Sequence, residues 1–429
     1  MIIDELGITN FKNFDNINVS FSSGVNLFVG GNGSGKTSLL EAINVALGGF
    51  FSSQPQKMHR VIEFDEIKIT KGKRELSTTI FAKSSLIEKG WSRTKNRDTK
   101  SNDNKEIDSI KEYGKKFFQA FEVNENKDIA PLIAYYSTQR LFKDARLSTK
   151  QTYDAAFGRR NGYLQCLEEN AIKTVLKEWL GNAVTRRATL QIKDILGKTD
   201  FVLENVEEAI KETLILFLDL PEDFPLKIYQ EPYFNNEVFI YFDEEHDLPL
   251  NYYSDGFRNL LYLIIDLVWR ASQLNPWLTL NEISENITGV VTIDEIDLHL
   301  HPKWQAKSID IIQKLFPNVQ FFITTHSPTV VANFQHGTLY LIDNNQVQKY
   351  ESEFFGKQVN SVLRNVLGAY DRHIPTQNKL NQLFRLIDEN QFAKADILLN
   401  ELTQLLGFED FEISKAIALL EWQKSMNQV

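Results

Sequence analysis

Gly30-Gly31-Asn32-Gly33-Ser34-Gly35-Lys36-Thr37, with Ser38 behind it, fits the pattern G-x-x-x-x-G-K-[ST]. It lies between a short apolar run, Val25 to Val29, and a segment of helical spacing, Ser38 to Leu47, that Gly48 and Gly49 stop. Strand, glycine-rich loop and helix is the context a phosphate-binding loop requires. Glycines let backbone N–H groups wrap phosphate oxygens, and the helix N-terminus adds its positive dipole. Lys36 then reaches the β- and γ-phosphates, and Thr37 offers its hydroxyl to Mg²⁺. Gly30, Asn32, Gly33, Ser34, Gly35, Lys36, Thr37 and Ser38 are the candidate nucleotide contacts.

Three further motifs lie downstream. In Gly289-Val290-Val291-Thr292-Ile293-Asp294-Glu295 an apolar run ends in two acids, as at the exit of a buried strand. Asp294 would face Mg²⁺ and Glu295 would orient or activate a water, although a solvated acidic turn looks the same in isolation. Thr324-Thr325-His326-Ser327-Pro328 follows another apolar run, Val319 to Thr324. His326 there can hydrogen-bond a γ-phosphate, or merely cap the strand. In Asn251-Tyr252-Tyr253-Ser254-Asp255-Gly256-Phe257-Arg258, Ser254 caps the apolar helix predicted over Gly256 to Ala271, whose N-terminus then faces an anion or only solvent.

Composition bounds the function. The chain has 429 residues, 42% hydrophobic, with a net charge of −10. That allows a sizeable core and argues against coating nucleic acid with the whole surface, so any DNA contact is a local patch. A single cysteine, Cys166, excludes an internal disulfide and a cysteine-only metal site, and suits a reducing cytoplasm. Met1 to Asp15 lacks a signal-peptide pattern, and the most apolar stretch, Leu260 to Val268, is too short for a bilayer. A cytoplasmic protein with no membrane partner is expected.

Met1 to Phe28 reads as strands, Pro131 to Tyr136 and Val238 to Tyr241 as further strands, and Ala171 to Leu180 and Val206 to Leu218 as helices. Lys89 to Lys116, dense in Lys, Asn and Asp, reads as an exposed loop. Beyond Asp343, Leu380, Leu383, Phe384 and Ile387, then Ala395, Leu398, Leu399 and Leu402 with Gly407 as a cap, predict a helical tail. The expected division is a discontinuous domain over 1–345, interrupted by a mainly helical insertion at about 101–225, and a helical region over 346–429 that serves as a partner or oligomer dock.

The four motifs, in this order, resemble the ABC-type ATPase superfamily, in its soluble branch near RecF, SMC and OLD-family proteins. That resemblance makes Gly30–Thr37 the Walker A motif, Asp294 and Glu295 Walker B and the catalytic glutamate, Ser254-Asp255-Gly256 the signature motif, and His326 the switch histidine. Lys36, Glu295 and His326 are then the catalytic candidates. Thr37 and Asp294 are the metal candidates, with Gln139 in a Q-loop place where it is a metal or water contact or a plain loop residue. Leu298-His299-Leu300-His301-Pro302 resembles the D-loop region of the AAA_15/AAA_21-like group, and Ile8-Thr9-Asn10-Phe11-Lys12-Asn13-Phe14 resembles a RecF/SMC-like start. The implied fold is α/β: an ABC-ATPase head, a mixed sheet with a P-loop core, carrying a large helical insertion and a C-terminal helical tail. Gln273 to Thr288, between signature and Walker B, is longer than in compact transporter subunits.

A narrower resemblance is carried by Tyr135 to Arg140, Ser254 to Leu261, Asp297 to Gln305 and Gly356 to Leu363. It is to the anti-phage ATPases of the Septu PtuA family, free-standing or attached to retrons. The resemblance implies ATP and Mg²⁺, and a homodimer or higher oligomer in which Ser254 and Gly256 of one subunit meet the γ-phosphate held by Lys36 of the other. It also implies an HNH-type nuclease partner similar to PtuB; a retron reverse transcriptase with its RNA/DNA, and DNA itself, are further candidates. The tail has no Asp-x-Asp pair and one histidine, His373, so no nuclease site of its own is expected. The alternative is a RecF-like DNA-binding ATPase clamp in DNA repair.

Overall fold

A computed structural model describes residues 1–54, 60–99, 106–121, 127–138, 155–168, 179, 183, 201–224, 227–231, 237–241, 247–249, 252–350, 355–365 and 372–426. Gln139 and most of the helix expected over Ala171 to Leu180 lie outside these residues. The chain divides into two compact units, Met1–Val362 and Leu363–Val429.

The first unit opens with β1 (Glu5–Phe11) and β2 (Phe14–Ser20) and passes into β3 (Val25–Val29), every residue of which is buried. A short hairpin, β4 (Ile69–Thr70) with β5 (Lys73–Arg74), precedes β6 (Ser77–Ser84) and β7 (Ile87–Asn96). Strands in the order β2-β1-β6-β7 make an antiparallel sheet. After β8 (Leu132–Tyr136), β9 (Lys227–Glu231), β10 (Glu237–Tyr241) and β11 (Asp247–Pro249) form a separate three-stranded antiparallel sheet.

The central sheet is completed by β12 (Gly289–Ile293), β13 (Val319–Thr325), β14 (Thr338–Asp343) and β15 (Gln346–Lys349). Its order is β15-β14-β3-β13-β12-β8, with β14, β3, β13, β12 and β8 parallel and β15 antiparallel at the edge. β3, β8, β12 and β13 are buried along their whole length, which is why their sequences are nearly unbroken apolar runs. This is the mixed sheet around a P-loop that the resemblance implies. Parallel alignment has one consequence for function: the C-terminal ends of β3, β8, β12 and β13 meet at the same edge.

A buried glutamine joins the N-terminal segment to this sheet. Gln320 of β13 accepts from Ile3 N at 2.8 Å through Oε1, while its Nε2 donates to Ile3 O at 2.8 Å and Ser22 O at 2.7 Å. Such a fully satisfied amide fixes one register, because any shift would strand its donors in the core. Lys12, in the turn between β1 and β2, pairs with Glu41 of the helix Lys36–Leu47, which follows the glycine loop.

Within Lys89 to Lys116, residues 100–105 lie outside the described ones, and most of the rest is not the expected exposed loop. Ile87–Asn96 is β7, and Asp108–Phe121 is a helix that buries Ile110, Gly114, Phe118 and Phe121. The inward positions of β7 include Trp91, Arg93 and Lys95, all buried. Charged heads on buried aliphatic stems hide the strand's apolar face from a polarity reading. The helix Phe201–Leu218 matches the expectation over Val206 to Leu218. The helix Asp255–Leu274 packs in the first unit, where Asp266 accepts from Tyr136 OH at 2.7 Å and from Arg270 Nε at 2.7 Å. The second unit holds the helices Ile374–Asp388, Phe392–Leu406 and Phe411–Met426 around Leu380, Leu383, Ile387, Leu402 and Leu420.

Close pairing of β12 with β8 sets the depth of the central sheet. A Cβ on Gly289 would stand 1.9 Å from Leu132 O. Gly289→Ala should therefore destabilise the fold by about 1–3 kcal/mol. Gly24→Ala, where a Cβ has open space around it, should change stability by less than about 0.5 kcal/mol. Denaturant midpoints measure both, and equal midpoints would refute the close approach.

Candidate nucleotide-binding site

The glycine loop lies where β3 meets the helix Lys36–Leu47. Gly33 and Gly35 have φ of 75° and 107°, the left-handed conformations that turn successive N–H groups inward. Gly35 also rests on the Phe14 ring, where a Cβ would come within 2.8 Å of Cζ. Asn13 Nδ2 donates to Gly33 O at 3.2 Å. The turn Lys12–Phe14 thus braces the loop from beneath, a contact across about twenty residues that no local spacing announces.

Lys36 is 5% exposed. Its Nζ donates to the carbonyls of Gly30 and Gly31, each at 2.9 Å. Burial lowers its pKa below 10.5, against the opposing pull of Asp294, Glu295 and Asp297. Thr37 is exposed, and its hydroxyl donates to Asp294 Oδ2 at 2.8 Å. Asp294 itself is 1% exposed, and its Oδ1 accepts from Thr324 Oγ1 at 2.5 Å. Thr324 also accepts from Glu295 N at 2.8 Å. Glu295 has φ of 49°, an unfavourable conformation for a side-chain-bearing residue that this hydrogen bond helps to hold.

His326 follows β13, and its Nε2 stands 3.9 Å from Glu295 Oε1. Burial, then the charge of Lys36, lowers its pKa from 6.5, favouring the neutral ring. The structure therefore gathers Lys36, Thr37, Asp294, Glu295 and His326 at one edge, although they come from three stretches of sequence. Ser38 is buried in the first turn of its helix, and Asn32 is exposed on the loop.

Ser254 is exposed and accepts from Phe257 N at 3.5 Å, capping its helix as expected. Gly256 lies against the turn after Asp294, where a Cβ would be 2.0 Å from His299 O. Trp304 packs within the chain, with ring centroids 5.3 Å from Phe257 and 6.5 Å from Phe217. Sequence reasoning assigned no contact to Thr324, Thr325, Asp297 or Gln305. Thr325 Oγ1 donates to Asp297 Oδ1 at 2.5 Å. Their place in the quoted motifs was the available signal; their partners depend on two strand ends meeting.

The donors fit a nucleotide triphosphate with Mg²⁺. The Ser34 hydroxyl is buried without a hydrogen-bond partner, and the loop offers turned N–H groups and a lysine held only by neutral carbonyls. Thr37 and Asp294 are the oxygen donors that would hold the ion. One carboxylate and one hydroxyl suit Mg²⁺, which keeps waters and takes further oxygens from phosphates.

Similarity to known proteins agrees with this arrangement. The chain is 25% identical to the Retron Ec83 probable ATPase of Escherichia coli, covering 92% of this chain and 81% of that protein. It is 26% identical to the Septu protein PtuA of Bacillus thuringiensis, over 97% of this chain and 100% of the relative. The DNA replication and repair protein RecF of Streptococcus pyogenes serotype M12 (strain MGAS2096) is 28% identical, over 76% and 92% of the two chains. A family model described as "AAA domain, putative AbiEii toxin, Type IV TA system" matches residues 25–332, from β3 into the helix after His326, and this chain belongs to that AAA_21 family.

Proposed function

We propose that the chain binds and hydrolyses ATP in an ABC-type site, and that the cycle controls a partner effector in anti-phage defence. The convergence of Lys36, Thr37, Asp294, Glu295 and His326 at one sheet edge carries the hydrolytic part. Lys36 exchanges two neutral carbonyls for phosphate oxygens, a charge-assisted and therefore stronger pairing. Asp294 and Thr37 would hold Mg²⁺, which would supply charge neutralisation at the phosphates. Glu295 orients or activates the attacking water, and neutral His326 donates one hydrogen bond toward the terminal phosphate. The helix N-terminus at Ser254 and Gly256, where Ser254 is exposed and Gly256 is buried against the His299 turn, acts on the nucleotide of a second copy, so the chain works as an ATP-dependent homodimer or larger assembly.

The names of the relatives support the defence setting: a retron ATPase and a Septu protein each align over most of this chain. An HNH-type nuclease resembling PtuB is the proposed effector, on the likeness to the Septu protein; a retron reverse transcriptase with its RNA/DNA is a second candidate, on the likeness to the retron ATPase. The compartment proposed is the cytoplasm; among the described residues no helix is long and apolar enough to cross a membrane. RecF among the relatives favours a second reading, a DNA-binding clamp in repair. The net charge of −10 weighs against it, since affinity for DNA comes largely from phosphate neutralisation.

Glu295→Gln should retain ATP binding, lose most hydrolysis and accumulate as an ATP-bound dimer; hydrolysis at the wild-type rate would remove Glu295 from the chemistry. Purifying this variant with ATP from its host should recover a stoichiometric nuclease. Recovery of DNA and repair proteins alone would establish the clamp instead.

Lys36→Ala should abolish ATP binding, as checked by equilibrium titration; micromolar affinity in that variant would sink the loop assignment. Lys36 also predicts a pH dependence. Its ammonium is the form that pairs with phosphate, and burial lowers its pKa in the free protein. ATP affinity should therefore decline as pH rises through a value below 10.5, whereas an ordinary lysine would hold affinity to about that pH. Dissociation constants measured from neutral to alkaline pH decide between them.

A further inference from the structure

Gln305 is a polar side chain that the proposed hydrolysis leaves unused. It ends the short helix Pro302–Gln305. Its Nε2 donates to Leu300 O at 3.0 Å and Asp297 O at 3.5 Å. Its Oε1 accepts from Ser327 Oγ at 2.7 Å. Ser327 Oγ in turn accepts from Thr329 N and Val330 N, at 3.1 and 3.2 Å, and so caps the helix Pro328–Asn333. A serine hydroxyl has one proton, and here it goes to Gln305.

A second tie runs beside the first. Thr325 Oγ1 donates to Asp297 Oδ1 at 2.5 Å and accepts from Ser327 N at 2.9 Å. His326 thus stands between Thr325, bonded directly to the turn beyond Asp294, and Ser327, tied to that turn through Gln305. No hydrogen bond to the imidazole itself is needed to place the ring, because the backbone at 325–327 is held on both sides.

We propose that Gln305 is a positioning residue: its amide straps the Asp297–Leu300 turn to the loop that carries His326, and so fixes the imidazole beside Glu295. The amide donates to Leu300 O through Nε2 and accepts from Ser327 Oγ through Oε1 at once. A carboxylate at 305 keeps the acceptor and loses the donor; methionine, of similar length, loses both. The catalytic consequence rests on the reading of His326 as facing the terminal phosphate, whereas the strap itself requires no nucleotide.

The test uses the full chain in four forms besides wild type: Gln305→Met, Ser327→Ala, the double variant, and Ser327→Thr. One readout is kcat and KM for ATP. The other is the rate at which diethyl pyrocarbonate modifies His326, followed by peptide mass spectrometry with His336 as internal reference. Each single variant should lower kcat by about five- to tenfold with KM within about twofold, since one neutral hydrogen bond is at stake. The loss in the double variant should fall short of the product of the two single losses, because the Ser327–Gln305 bond is common to both while the cap of Ser327 and the bonds of Gln305 to Leu300 and Asp297 are lost separately. Ser327→Thr should restore wild-type kcat, and His326 should react about threefold faster or more in Gln305→Met.

Additive losses, or an unchanged His326 rate in Gln305→Met, would overturn the strap. If wild type hydrolyses no faster than Lys36→Ala, the ATPase reading fails, yet the modification rate still decides the positioning: faster upholds it and unchanged sinks it. Should Gln305→Met fold poorly, Ser327→Ala breaks the same bond from the other side.

Discussion

The carboxylate of Asp294 is the interaction on which the site depends. It is 1% exposed and accepts one hydroxyl from Thr37 and one from Thr324. A buried carboxylate needs such partners, because desolvation without them costs several kcal/mol or more. These two bonds tie the end of β12 to the helix after β3 on one side and to the end of β13 on the other. The geometry exists only because β3, β13 and β12 run parallel in a fixed register. Slipping β12 by one residue would turn Asp294 away and put Glu295 in its place, since alternate residues face opposite sides of a sheet.

The parts of the site that were legible in the sequence are those whose chemistry is local. Gly30 to Thr37 could be read because a glycine loop between strand and helix is one continuous structure. Asp294 and Glu295 could be read because a fully buried strand announces its own end. The cap at Ser254 was legible for the same reason. What escaped is everything made by return of the chain. Asn13 and Phe14 brace the loop from a turn far upstream. Thr324 bonds Asp294 across two strands, and Gly256 touches His299 across some forty residues. β7 escaped for a different reason: Arg93 and Lys95 point inward, so its period of two is invisible to a scale that scores only polarity.

Lys36 shows how the same residues can be stable without nucleotide and still favour it. Its ammonium is sheltered from water, yet its hydrogen-bond partners are neutral carbonyls, and the nearby carboxylates do not fully offset the burial. The lysine is thus kept close to where a phosphate would arrive and incompletely compensated. A phosphate oxygen improves on a carbonyl as a partner for a cation in a low-dielectric site. Little reorganisation is required, because the loop glycines already hold their left-handed conformations.

The surrounding field then determines which form of nucleotide is acceptable. Asp294, Glu295 and Asp297 all act electrostatically on Lys36, so among the described residues this one lysine faces three carboxylates. The helix N-terminus offsets only about half a charge. An anionic phosphate chain alone would be repelled by the acids that the chemistry needs. A divalent ion, which Thr37 and Asp294 would hold, would supply the positive charge that eases this conflict. Neutral His326 fits the same field: burial and Lys36 disfavour a further positive charge there, leaving a ring that can donate one hydrogen bond without repelling the lysine. Lysine and histidine are therefore not interchangeable in this site: Lys36 brings a charge, whereas His326 brings a neutral hydrogen-bond donor.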